Sequence, residues 1–139
     1  MVARDDGLYW IDSDLHRTHF LLVETSCPCG CERNEMKQVF IDRLEHFRRL
    51  LGDKPIIVTS AFRCPVYNAT IPGTAQNSDH TRGLAADVVV HNDERPITEL
   101  ARIAVAVGFD GVGDYADGHL HVDLGGKRHA DGGPRQWTG

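Results

Sequence analysis

Ser78-Asp79-His80-Thr81-Arg82-Gly83-Leu84-Ala85-Ala86-Asp87 sets an imidazole and a carboxylate seven residues apart across a glycine. A loop residue and a strand residue spaced in this way can converge. In Gly118-His119-Leu120-His121-Val122-Asp123, strand alternation would put His119, His121 and Asp123 on one face and Leu120 and Val122 on the other. Catalytic zinc takes three protein ligands from His, Asp or Glu and leaves its fourth position to water, which it acidifies into a nucleophile. Two histidines and one aspartate fit that requirement. Any one of these histidines alone is more often a hydrogen-bonded or half-exposed residue than a ligand, so the combination carries the weight.

These side chains need elements to hold them. Asn34 is a good N-cap, and Met36, Phe40, Leu44, Phe47 and Leu51 recur at helical spacing until Gly52. That stripe is core. Ile56 to Thr59 is an apolar, β-branched run that predicts a buried strand delivering Ser60 to Arg63 at its exit, and Asn68 to Ser78 has loop composition. Ala85 to Val90 predicts a second buried strand, and Pro96 opens a helix that Gly108 stops. Gly111 to Tyr115 and His119 to Leu124 predict a hairpin around the Ala116-Asp117-Gly118 turn. Residues 1–33 read as irregular, with Phe20 to Val23 as a short strand or a plug on the core. The tail 126–139 reads as loose except where Trp137 docks. The expectation is an α+β fold, a small central antiparallel sheet flanked by helices, in one domain over 1–139 with its core at 34–125.

At 139 residues the chain can bury one core but hardly two. A net charge of -5 argues against nucleic acid or an anionic membrane surface as partner. No apolar run approaches the roughly 20 residues of a membrane span, and no signal-like apolar core follows Met1 to Asp6. The expectation is a soluble monomer made in the cytoplasm, without membrane insertion. Cys27-Pro28-Cys29-Gly30-Cys31 with distant Cys64 is a poor disulfide framework. Three readings stay open: reduced structural thiols, which is the default, a bridge from the cluster to Cys64, or a second, structural zinc ion.

The run Ser78 to Asp87 resembles the SxHxxGxAxD motif of the zinc D-Ala-D-Ala carboxypeptidase family, and His119-Leu120-His121-Val122-Asp123 resembles its HxH motif. Ile56-Ile57-Val58-Thr59-Ser60-Ala61-Phe62-Arg63-Cys64 is similar to the family's strand followed by S-G-Y/F-R, with Ala61 in place of the common glycine. Pro65, Asn68, the Cys-x-Cys-Gly-Cys cluster and Gly111-Val112-Gly113-x-Tyr115 are similar to the branch of small single-domain members. The resemblance spans roughly residues 15 to 125 and implies a hedgehog/DD-peptidase-like fold.

Carried over, the resemblance implies zinc ligation by His80, Asp87 and His121. It makes His119 an acid/base or transition-state group, gives Arg63 the scissile carbonyl or oxyanion, and gives Ser78 and Arg63 a hold on substrate. The bland alternative for Arg63 is a structural ion pair. Relatives place a Glu or Asp base three residues before the last ligand, where this chain has Gly118. Asp117 and Asp114 are the nearby acids, although beside Gly118 a turn role suits Asp117 equally. Asp123 reads as a partner that orients a histidine. The implied function is hydrolysis of peptidoglycan stem peptides or cross-bridges, at a bond involving a D-amino acid. It would act at the cell wall or periplasm and would suit a phage or prophage lytic enzyme. The alternative is a zinc-containing binding module without turnover, which Gly118 favours.

Overall fold

The structure, a computed structural model, describes residues 2–3, 8–11, 16–21, 25–31, 33–74, 78–126 and 128–139; of these, 2–3, 8–11, 16–18 and 21 are described as backbone alone. The fold is α+β, as predicted. Its centre is a five-stranded sheet in the order β4-β5-β7-β6-β8, built from β4 (Ile56–Ser60), β5 (Ala85–Val90), β6 (Gly111–Asp114), β7 (Leu120–Asp123) and β8 (Arg135–Thr138). The first four strands in that order are antiparallel to their neighbours, but β8 pairs with β6 in parallel, so the sheet is mixed.

Two longer helices cover one face. Helix α1 (Gln38–Leu50) buries Phe40, Ile41, Leu44 and Phe47. After the short α2 (Pro65–Asn68), α3 (Ile97–Val107) buries Leu100, Ala101, Ala104 and Val107 and ends at Gly108. Phe109 seals the layer: its ring centroid lies 5.9 Å from those of both Phe40 and Phe47, edge-on to the latter. Each such phenylalanine contributes about 1.5–3 kcal/mol by leaving water. Val88, Val112, Leu120 and Val122 belong to the same buried cluster, and this leaves alternate residues of β5, β6 and β7 for the opposite face.

Three local expectations change. Helix α1 starts at Gln38 rather than just after Asn34, because the Asn34 side chain accepts the Met36 N–H at 3.1 Å and holds a local turn. Residues 34–37 instead run against Gly83, whose carbonyl accepts the Lys37 N–H at 3.0 Å. The N-terminal section, expected to be irregular, contains a three-stranded antiparallel sheet of β1 (Val2–Ala3), β2 (Leu8–Ile11) and β3 (His16–Leu21). Phe20 is buried, while residues 22–23 of the predicted Phe20–Val23 run lie outside the described residues. The tail, expected to be loose, supplies β8. Among the described residues no helix is long and apolar enough to cross a membrane.

Candidate metal centre

Strand register builds half of the site. Asp87 on β5 and His121 on β7 are direct cross-strand partners, and Ala85 pairs with Asp123 two residues along. Leu120 and Val122 are buried in the core on the other face, so His121 and Asp123 point away from the helices together. The alternation read from the sequence holds here.

His80 arrives from outside the sheet, on the 3-10 turn Asp79–Arg82. The Ser78 hydroxyl oxygen accepts the His80 N–H at 3.3 Å, and Thr81 donates to the Ser78 carbonyl, so Ser78 builds the turn. Gly83 ends it in the left-handed region at φ 71°. A Cβ there would lie 2.0 Å from the Glu35 carbonyl oxygen, so both conformation and space demand glycine. The chain then enters β5 and reaches Asp87.

One ligand atom each from His80, Asp87 and His121 lies within 4.8 Å of the others. Asp87 Oδ1 is 3.1 Å from His121 Nδ1 and 3.6 Å from His80 Nε2. Donors about 2.0–2.1 Å from a tetrahedral zinc ion stand about 3.3 Å apart, so the spacing fits. The outward-facing nitrogens are set by their partners. His80 Nδ1–H donates to the Ala61 carbonyl at 2.7 Å, which directs Nε2 to the centre, and His121 Nε2–H donates to Asp123 Oδ2 at 2.9 Å, which directs Nδ1 there. Burial disfavours the Asp87 charge, yet hydrogen bonds from His121 and His80 hold its pKa well below the carboxylate range. Burial also disfavours the His121 cation, but hydrogen bonds to Asp123 and Asp87 push it up to about 9. Without metal, His121 is therefore a cation that donates Nδ1–H to Asp87; a bound metal would take the place of that proton, leaving carboxylate oxygen and imidazole nitrogen, a donor set suited to zinc.

Arg63, also buried, leaves β4 toward the same point. Its Nε donates to Ser60 Oγ at 3.1 Å and one terminal nitrogen donates to Asp87 Oδ2 at 3.3 Å. The ion-pair reading of Arg63 and its placement beside the ligand cluster thus coexist. His119 has a different set of contacts. Asp117 Oδ1 accepts both its backbone N–H at 3.0 Å and its ring Nδ1–H at 2.5 Å, and the ring stacks on Tyr115 at 4.2 Å. Those hydrogen bonds hold the Asp117 pKa below its usual value. Asp117 is therefore tied to His119 across the turn. Asp114 ends β6 opposite Leu120.

Residues that sequence reading did not assign to the site complete its setting. Trp137 lies 5.2 Å from the His121 ring and donates its indole N–H to the Tyr115 hydroxyl at 2.8 Å. Arg135 donates to Asp123 Oδ1. Gly111 and Gly113 leave room over β6 for side chains of β7 and β8: a Cβ on Gly113 would lie 2.3 Å from the Trp137 indole, and one on Gly111 would lie 2.3 Å from Asp123 Oδ2 and 2.7 Å from a terminal nitrogen of Arg135. The two bare positions in Gly111-Val112-Gly113-x-Tyr115 were the signal available in the sequence. His19, which had no diagnostic partner in the sequence, pairs with Glu45, and Asp79 pairs with Arg82.

A comparison with curated proteins returns no match. The family description peptidase M15 matches residues 13–123, a span that holds the 3-10 turn, β4, β5, β7 and every residue of the His80, Asp87 and His121 cluster. The chain belongs to the peptidase M15 family.

Proposed function

We propose that this chain is a zinc-dependent metallopeptidase that cleaves peptide bonds in bacterial peptidoglycan, in a stem peptide or cross-bridge and at a bond involving a D-amino acid. Membership of a peptidase family makes peptide-bond hydrolysis the reaction. The observation that carries the zinc reading is the convergence of His80 Nε2, Asp87 Oδ1 and His121 Nδ1, each histidine aimed by a hydrogen bond at its other nitrogen. Bound zinc would supply a Lewis acid that polarises a carbonyl and lowers the pKa of water.

The remaining work falls to the chain's own side chains. Arg63 is fixed through Nε and one terminal nitrogen, and its other N–H groups can donate to the carbonyl oxygen of the scissile bond as negative charge grows there. Ser78 keeps its hydroxyl proton for substrate. With Nδ1–H donated to Asp117, His119 carries its lone pair on Nε2, where it can accept and return a proton. Asp117 is then a positioning residue for His119, and this pair takes the place of the acid missing at Gly118.

Digestion of purified peptidoglycan and its stem peptides, read by mass spectrometry of the fragments, tests the proposal. Zinc-dependent cleavage is expected, with His80→Ala abolishing it and His119→Ala lowering kcat by about 10²–10⁴-fold. The fragment masses identify the bond and separate carboxypeptidase from endopeptidase action. Binding of stem peptide without turnover would replace this reading by that of a zinc-containing binding module, which Gly118 favours. Cleavage of intact walls added from outside would suit a phage lytic enzyme.

A further inference from the structure

A second group of metal-binding side chains lies outside the His80, Asp87 and His121 cluster. One sulfur each from Cys27, Cys29, Cys31 and Cys64 lies within 4.8 Å of the others. Cys27 and Cys29 sulfurs are 3.4 Å apart, and those of Cys29 and Cys64 are 3.7 Å apart. All four cysteines are free. Four thiolates at about 2.3 Å from a tetrahedral zinc ion stand about 3.8 Å from one another, whereas a disulfide needs about 2.05 Å. The observed spacing matches the metal arrangement.

The backbone supports the same reading. The Cys64 N–H donates to Cys27 Sγ at 3.3 Å and the Tyr67 N–H donates to Cys64 Sγ at 3.4 Å, so both buried sulfurs accept the hydrogen bonds that favour charged sulfur. Gly30 takes φ 90° between Cys29 and Cys31, and both of these bring their sulfurs to the cluster at the surface. Those two exposed cysteines give an ion a way in.

We propose that Cys27, Cys29, Cys31 and Cys64 bind a structural zinc ion as four thiolates, each thiol giving its proton to solvent. This ion fastens residues 25–31 to the turn between β4 and α2, and Cys64 directly follows Arg63. The turn is held on both sides: Phe62 N–H donates to the Thr25 carbonyl at 3.1 Å and Arg63 N–H to the His80 carbonyl at 3.2 Å. The sulfur site therefore positions Arg63 against the ligand turn without touching substrate.

The full reduced chain is loaded with zinc and assayed by elemental analysis, then loaded with cobalt(II) and examined by absorption spectroscopy. Two zinc ions per chain are expected, together with an intense sulfur-to-cobalt charge-transfer band. His80→Ala should keep the band and one zinc ion, which separates this site from the proposed catalytic one. Cys29→Ser should lose the band and one zinc ion, and should lower peptide cleavage. If Cys29→Ser fails to fold, the band in the native chain and in His80→Ala still decides. Absence of that band from both overturns the proposal. So does a native mass two hydrogens low, or reaction of all four thiols with a disulfide reagent at the same rate with and without zinc.

Discussion

Asp123 is buried to 1% exposure, yet it carries charge among three donors: His121 Nε2–H, Arg135 and the Gly125 N–H. Burial works against that charge, but the hydrogen bonds from His121 and Gly125 and the nearby Arg135 cation hold the carboxyl below its usual pKa. Its effect on the metal is indirect. By accepting from Nε2 it makes Nδ1 the nitrogen that faces Asp87, and it raises the basicity of the ring. Asp123→Asn keeps the shape but removes the charge and one acceptor. Zinc affinity, measured by competition with a chromophoric chelator, should fall about 10–100-fold, the usual cost of losing such a partner. Unchanged affinity would mean that Asp123 serves only to anchor Arg135. His80 needs no carboxylate, because the Ala61 carbonyl does the same work at 2.7 Å.

Strands turn these contacts into a surface. Asp87, His121, Gly113 and Trp137 form one row across β5, β7, β6 and β8, and Ala85, Asp123, Gly111 and Arg135 form the next. A slip of one residue between β5 and β7 would send Asp87 and His121 to opposite faces. Gly113→Val tests the row. Strand propensity favours valine by up to about 1 kcal/mol. A Cβ there would nevertheless sit 2.3 Å from the Trp137 indole, and such overlap costs about 1–3 kcal/mol, so Trp137 should be driven off His121. The expected result is at least a tenfold loss of kcat/KM on stem peptide with zinc content unchanged, whereas native kinetics would show that Trp137 has no part in the site. The Asp87 and His121 row was legible because ligand types and period-two alternation are local signals. Trp137 was expected to dock, but β8 was not foreseen, since its parallel partner β6 lies some twenty residues away and no local pattern names it. The N-terminal strands pair antiparallel with near neighbours, but Leu8–Ile11 and His16–Leu21 carry no clear period-two alternation to announce them, and the helix start was misread because Asn34 caps a turn as well as it caps a helix.

Across the whole molecule, the site depends on a sheet held against α1 and α3, and the end of α1 is clamped to the segment that leads into α3. Arg95 lies between β5 and α3 and donates to the Leu51 carbonyl, at the end of α1, at 2.8 Å. Asp93 holds that guanidinium through Nε and a terminal nitrogen and also caps the Arg95 N–H. These hydrogen bonds from Arg95 hold the Asp93 carboxyl well below the ordinary carboxylate range. A carboxylate whose pKa is lower in the folded than in the unfolded chain stabilises the fold above its unfolded value of about 3.9. That contribution is lost as pH falls through the lower, folded value. Asp93→Asn should therefore melt at a lower temperature than the native chain at pH 7. The gap should narrow progressively once the pH drops below about 4, because the native carboxyl is then being neutralised as well. Thermal melts of both proteins from pH 7 down to pH 2.5 measure this directly. A gap that stays constant over that range would assign the effect to the lost cap geometry, and a gap absent at pH 7 would leave the helix layer held by its apolar core and by Arg43, which donates to the Val107 carbonyl at 3.0 Å. The melts should be run on metal-free protein, since zinc bound only to the folded chain would add its own pH-dependent stabilisation.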